Sequence, residues 1–242
     1  MRKHRFFTAD PLALNTSISL NVDLSHQVSR VLRLQINDII YIFNNTGYEY
    51  TAQIQTINRN TVDVQLTRAT ADAQESPLRI NLAQVIAKGE KMELVIQKAT
   101  ELGVNTITPL YSERSVAKKI QQKAEHKIDH WQKIAIAASC QSWRNYVPVV
   151  TEAQSIVTWL KRETEDYKLI LSTSGTSTRL KDLKLSSSIS ILIGPEGGFS
   201  DEELELALEH NFQAISLGPR ILRTETAGLA TIAILQSMIG DV

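Results

Sequence analysis

The run Ile189–Phe199, ISILIGPEGGF, constrains this chain more than any other stretch. It reads as an apolar strand that ends in a glycine-bearing turn, Gly194-Pro195-Glu196-Gly197-Gly198, and passes at Ser200 into a helix. Glu203 completes a capping box with Ser200, and Asp201 and Glu202 in the first turn complement the helix dipole. Strand, glycine turn and helix in that order form the unit from which α/β proteins build ligand sites, because glycine lets backbone approach a ligand where a Cβ would forbid it. A phosphate cradle wants bare N–H groups with a Lys or Arg. A turn centred on Glu196 points instead to a ligand with hydroxyls, an amine or a positive charge.

The rest of the second part of the chain agrees with that unit. Strands are expected at Leu78–Ile86, Thr106–Leu110, Lys168–Ser172, Ile189–Ile193 and Ala214–Leu217, alternating with helices as in a mostly parallel sheet covered on both faces. Met92, Val95, Ile96, Ala99 and Leu102 fall at helical spacing, and Gly103 supplies the stop. The last helix, Ala227–Ile239, is almost wholly apolar, so it must be buried in the core or against a second subunit. Residues 18–68 alternate instead as short strands, with turns at Asn44–Gly47 and Asn58–Asn60, and read as a small β-barrel or sheet. Within them only Ser25–Arg33 reads as a helix, with Val28, Val31 and Leu32 on one face. The polar stretch Ala69–Pro77 separates the two patterns.

Lys+Arg and Asp+Glu are equal at 26 each, so attraction to nucleic acid must come from local patches. One patch is N-terminal, where Arg2, Lys3, Arg5, Arg30 and Arg33 face only Asp10 and Asp23; a second runs from Arg114 through Lys118, Lys119, Lys123, Lys127 and Lys133 to Arg144. A single cysteine, Cys140, excludes an internal disulfide. No apolar run approaches the roughly 20 residues of a membrane span, and MRKHRFF lacks the apolar core of a secretory signal, so a cytoplasmic location is expected.

A second glycine turn, Leu217-Gly218-Pro219, follows the last strand and leads through Arg220, Ile221, Leu222, Arg223, Thr224, Glu225 and Thr226 to Ala227. Two such turns at one sheet edge form a pocket, or are ordinary tight turns; the charges crowded beside the second one point to a ligand. His126 and His130 share a helix face, but without a carboxylate or cysteine at ligand spacing they read as part of a solvated basic face. Cys140, after Ile134-Ala135-Ile136-Ala137-Ala138, reads as a small core residue more readily than as a nucleophile.

Six ordered motifs carry a resemblance over nearly the whole chain. They are Arg5-Phe6-Phe7; His26 with Arg30-Val31-Leu32-Arg33-Leu34; Lys88-Gly89-Glu90-Lys91-Met92 leading to Gln97–Val104; Ser112-Glu113-Arg114-Ser115; Gly194–Phe199; and Leu217-Gly218 with Ile221–Ala227. With them the chain resembles the RsmE-type ribosomal RNA uridine N3-methyltransferases, members of the SPOUT superfamily. The resemblance implies an α/β fold in which a SPOUT α/β-knot (trefoil knot) methyltransferase domain, residues 73–242, is preceded by a small PUA-like RNA-binding β-barrel, residues 1–72. It implies S-adenosyl-L-methionine as cofactor, 16S rRNA or the assembled small ribosomal subunit as partner, a homodimer, and no metal. Residues expected at the cofactor are Leu171, Gly194, Pro195, Glu196, Gly197, Gly198, Leu217, Gly218, Ile221, Leu222, Thr226 and Ala227. Arg223 is expected to steady negative charge on the uracil and Glu225 to take its proton, while Arg2, Arg5, Arg30, Arg33, Arg114 and Arg144 hold RNA. One departure stands out: where the family usually has Glu-Gln-Ser-Gly-Arg, this chain has Cys140-Gln141-Ser142-Trp143-Arg144. Two rivals remain at this point, a SPOUT enzyme acting on another RNA or on a ribose 2'-hydroxyl, and a catalytically silent RNA-binding assembly factor.

Overall fold

A computed structural model describes residues 3–71, 75–88, 90–114, 127–163, 165, 167–172 and 178–242. Arg2, His126 and the lysines between 118 and 123 lie outside them. The chain forms two compact units, Met1–Glu75 with Ser139–Val147, and Ser76–Ala138 with Pro148–Val242.

Among the described residues the first unit is built on a five-stranded mixed sheet. Its strands are β1 (Arg5–Phe7), β2 (Ser17–Ser19), β3 (Ile39–Phe43), β4 (Glu49–Ile57) and β5 (Val62–Thr70), in the spatial order β1-β3-β4-β5-β2. β1 runs parallel to β3, and the other pairs are antiparallel. The period-2 pattern turns Ile40, Ile42, Ala52, Ile54, Val62, Val64 and Leu66 to one face, where they are fully buried with Val28 beside Phe6 and Leu20. The β3–β4 turn takes left-handed torsions at Asn45 (φ 61°) and Gly47 (φ 83°), which Asn and Gly tolerate. The expected helix begins earlier than its pattern suggests. Helix α1 is Val22–His26, capped by the Asn21 side chain accepting from the Leu24 amide, and it widens into a π-helical turn over Gln27–Val31. The wider turn changes the facing: Val28 is buried, but Val31 is exposed rather than on the same face.

The second unit holds a parallel sheet. Among the described residues its order is β11-β13-β10-β12-β6-β7-β8, with β9 also on β7. The strands are β6 (Arg79–Val85), β7 (Thr106–Tyr111), β8 (Val149–Val150), β9 (Gln154–Ser155), β10 (Tyr167–Leu171), β11 (Thr178–Arg179), β12 (Ser188–Ile193) and β13 (Gln213–Ser216). The helices are α2 (Lys91–Glu101), α3 (Ile128–Ser142, whose residues from Ser139 on belong to the first unit), α4 (Ile156–Leu160), α5 (Asp201–Glu209) and α6 (Thr224–Ile239). β12 lies between β10 and β6, which is why Ile189, Ile191, Leu192 and Ile193 are all buried. Helix α2 buries Met92, Val95, Ile96 and Ala99 and stops at Gly103, whose φ of 88° a side chain would strain. Helix α6 packs on α2, β12 and β6 through Gly228, Thr231, Ile232 and Leu235. Gln236 fastens it there, donating to the Leu102 carbonyl at 2.9 Å and accepting from Ser76 Oγ at 2.6 Å. No helix among the described residues is long and apolar enough to cross a membrane.

Candidate active site

Parallel register brings three strand ends together. Leu171 closes β10 opposite Ile215 of β13, Ile170 lies beside Leu192 of β12, and Ile193 lies beside Gln84 of β6. The turns that begin at Gly194 and Leu217 therefore leave one edge of the sheet on either side of Leu171, the edge where α/β folds bind ligands. A buried relay ties the second turn to the first. Gln84 Nε2 donates to Thr224 Oγ1 at 2.9 Å, and Thr224 Oγ1 donates to the Gly194 carbonyl at 2.6 Å. Gln84 Oε1 has no hydrogen-bond partner among the described residues and sits 3.4 Å from where a Gly228 Cβ would stand, so Gly228 lets α6 pack directly against the relay.

The first turn is pinned at each residue. A Cβ on Gly194 would lie 3.0–3.3 Å from the Phe199 ring, too close for a side chain without movement. The Gly198 amide donates to the Pro195 carbonyl at 3.0 Å, with Gly198 at φ 71°. Glu196 accepts from Lys91 Nζ at 3.1 Å and from the Lys88 amide at 3.4 Å, and the same ammonium lies 3.4 Å from Glu225 Oε2. Lys91 thus bridges the first turn and the start of α6. Burial alone would raise the Glu196 pKa; hydrogen bonds from its own backbone, Lys91 and Lys88 outweigh it and hold the carboxyl below its ordinary value. Lys91 is raised, chiefly by its hydrogen bond to Glu196. Arg114, expected to face RNA, donates to the Gly197 carbonyl at 3.3 Å and so belongs to this turn.

The second turn is bare by comparison. Gly218 has φ 113° and nothing within 4 Å of a Cβ position, and Ile221 is 85% exposed. Among the described residues no protein group accepts from the amides of Gly218, Arg220, Ile221 or Leu222. Arg223 is exposed, and its guanidinium has no protein partner among the described residues; its carbonyl begins α6 by accepting from the Ala227 amide at 2.8 Å. Thr226 is exposed and Ala227 half-buried on the first turn of that helix. Open amides, apolar Leu217, Ile221 and Leu222, and a nearby carboxylate suit a ligand held largely by backbone, such as the expected nucleoside cofactor. Among the described residues no cluster of three or more His, Cys, Asp or Glu could hold a metal.

The sequence reading missed Lys91, Gln84 and Thr224. Lys91 lay inside a quoted motif without a role. Gln84 was detectable as the one polar residue in the apolar run Leu82–Ile86.

Two expected RNA contacts need correction. Arg5 is 7% exposed and donates to Glu49 at 2.7 Å, to the Ser139 and Arg144 carbonyls at 3.0 and 2.6 Å, and to Asn145 Oδ1. Arg144 is 3% exposed and pairs with Glu75 at 2.7 Å. Both cations hold the segment Ser139–Val147 within the first unit, so they are structural. Arg30 and Arg33 remain exposed, and Arg30 lines a cleft of about 290 Å³ with Arg59, Ser29, Ile57 and Asn58. Burial pushes the Cys140 thiol up to about 11, against the opposing charge of Arg5 and a Phe7 backbone hydrogen bond, so it is a poor nucleophile at neutral pH.

The chain is similar to known RNA methyltransferases. A family model described as an RNA methyltransferase domain matches residues 74–236, and one described as an RNA methyltransferase PUA domain matches residues 30–67. A ribosomal RNA small subunit methyltransferase E from Buchnera aphidicola is 42% identical over 232 residues, covering 95% of this chain and 94% of its own. The Bacillus subtilis protein of that name is 33% identical over 90% of this chain and 88% of its own. Among solved structures, a putative methyltransferase from Legionella pneumophila in complex with bound SAM superposes with a TM-score of 0.92 at 36% identity, over 100% of both chains. A ribosomal RNA small subunit methyltransferase E from Neisseria gonorrhoeae bound to S-adenosyl methionine gives 0.92 at 35% identity over 99% of both chains.

Proposed function

The chain belongs to the RNA methyltransferase family of the ribosomal RNA small subunit methyltransferase E proteins, with a PUA-like module ahead of the methyltransferase domain, and on that premise we propose that it has the SPOUT α/β-knot fold and methylates N3 of a uridine in 16S rRNA, using S-adenosyl-L-methionine. The observation that carries the reading is the pair of glycine turns fastened to one sheet edge by Gln84, Thr224 and Lys91, beside the Arg223 guanidinium, which has no protein partner among the described residues. The cofactor supplies an activated methyl group on its sulfonium.

The protein's own work is alignment and proton handling. Gly194–Gly198 and Leu217–Leu222, with Leu171, Thr226 and Ala227, would hold the cofactor and align it with the substrate. As the N3–H bond breaks, negative charge spreads over the imide oxygens, and the Arg223 guanidinium stabilises it. Glu225, ion-paired to Lys91 at the head of α6, takes the proton. Residues 1–72 act as the RNA-holding module and residues 73–242 as the catalytic domain, with Arg30 and Arg33 on phosphates. The enzyme works as a cytoplasmic homodimer: Ile234, Met238 and Ile239 are each 37% exposed on α6, an apolar face that a second copy covers.

The test is transfer from methyl-labelled S-adenosylmethionine to small ribosomal subunits or their naked rRNA, followed by nucleoside digestion and mass spectrometry. Labelled N3-methyluridine is the expected product. A 2'-O-methyl nucleoside would overturn the assignment of the acceptor atom, and no labelled nucleoside would overturn the enzymatic reading.

A further inference from the structure

The outer face of β1 and β3 is covered by Ser139–Val147, and the side chain at its centre is in an unusual place. Trp143 has φ 66°, the left-handed region that disfavours a bulky residue. Its ring meets Tyr41 edge-on at 5.8 Å between centroids, and Lys3 Nζ lies 5.1 Å from the Trp143 centroid and 5.5 Å from that of Tyr41. The Arg5 guanidinium is 5.5 Å from the Trp143 centroid, but it already donates to Glu49, Ser139, Arg144 and Asn145. Arg5 is therefore held by those polar partners, and the Trp143 ring is not needed to fix it. Lys3 is exposed and forms no ion pair among the described residues, so an unpartnered ammonium rests on two half-buried rings. A ring face open to an ammonium is open to another flat, polarisable or cationic group.

We propose that Trp143 and Tyr41, with Lys3, form a base-stacking site for single-stranded RNA on the first unit. A nucleobase takes the place of the ammonium against the indole, and Lys3, on its flexible stem, moves to the adjoining phosphate. Every base offers a π face, so the site grips without reading sequence. The inference rests on RNA being the substrate, as proposed above.

The experiment measures fluorescence anisotropy of a short fluorescein-labelled, uridine-rich RNA with the full chain and with Trp143→Gly and Trp143→Asn, residues that accept positive φ. RNA affinity is expected to fall about 10-fold in both, equivalent to about 1.4 kcal/mol, while the melting temperature holds or rises and S-adenosylmethionine affinity by calorimetry is unchanged. Trp143→Phe keeps a ring and is expected to retain most of the affinity. Unchanged RNA affinity in the Gly and Asn variants, or loss of it only together with a lowered melting temperature or failure to fold, overturns the stacking site and makes the indole structural. Those outcomes, with wild-type RNA methylation intact, leave the enzymatic reading standing; a wild type that neither binds RNA nor transfers methyl overturns both.

Discussion

At Gly194 a phenylalanine ring lies 3.0 Å from where a Cβ would be; at Gly218 nothing lies within 4 Å. Gly198 of the first turn is as open as Gly218, so the contrast lies in what else holds each turn. The first is fixed by Phe199, by a Pro195–Gly198 hydrogen bond, by Lys91 and Arg114, and by the side-chain-capped helix that follows. The second has open amides, an 85% exposed isoleucine, and a helix whose N-cap residue makes no side-chain cap bond. A cofactor site needs one preorganised wall and one with unspent hydrogen-bonding capacity, and a reaction needs a charge that the protein has not already neutralised. In the proposed site the two turns divide those tasks.

The largest expected break is at Arg223. Because its side chain caps nothing and pairs with nothing among the described residues, Arg223→Ala is expected to leave the melting temperature and cofactor affinity unchanged. Turnover is expected to fall about 100-fold, close to 2.7 kcal/mol of transition-state stabilisation. Stopped-time methyl-transfer assays alongside calorimetry check it; an unchanged rate would remove Arg223 from the chemistry.

Gly197→Val tests the first turn. A Cβ there meets only Arg114 Cβ at 3.8 Å, an ordinary contact, and Gly197 lacks the positive φ of Gly198. The variant is expected to fold normally and to lose at least about 10-fold in S-adenosylmethionine affinity, because the added carbons occupy ligand space. Wild-type affinity in calorimetry would move the pocket away from this turn.

How much of this was legible beforehand follows from the range of each interaction. ISILI and its capping box are local patterns, and both appear: the strand is buried at the sheet centre, and the Ser200–Glu203 box closes at 3.2 and 3.0 Å. Strands β8, β9 and β11 have two residues each, too few for any period to register. Arg5 and Arg144 were misread because a count of charges does not reveal burial, and their partners Glu49 and Glu75 are 44 and 69 residues away in sequence. Lys91 escaped for the same reason: Glu196 is 105 residues distant. The positive φ of Trp143 had no signal in the residue itself, since tryptophan is a poor choice for that region.

Ser200→Ala sharpens the difference between the helix starts. Removing the hydroxyl that accepts from the Glu203 amide is expected to cost about 1 kcal/mol, lowering the melting temperature by roughly 2–4 °C, whereas Arg223→Ala lowers it not at all. Equal shifts in the two variants would show that the helix starts are held alike.

The smallest effect is the pH dependence of the tie between the turns. The Glu196 carboxyl is held below its ordinary value of 4.5, so its contribution is complete above that value and is lost as pH falls through the lowered one. Lys91 is raised above 10.5, so its contribution is complete below that value and is lost as pH rises through the raised one. Both signs leave the tie intact across neutral pH. Because Lys91 is solvated and the pair is screened, the gain is small, and it is best read as a difference between proteins. Glu196→Gln is expected to melt slightly below wild type from neutral pH down to the ordinary glutamate range, with the two curves converging in more acid buffer. High salt is expected to shrink the gap at every pH. A gap that persists unchanged at pH values where the carboxyl is protonated would mean that Glu196 holds the first turn by shape and hydrogen-bond geometry, which glutamine cannot copy, and the rigidity of that turn would then owe nothing to Lys91.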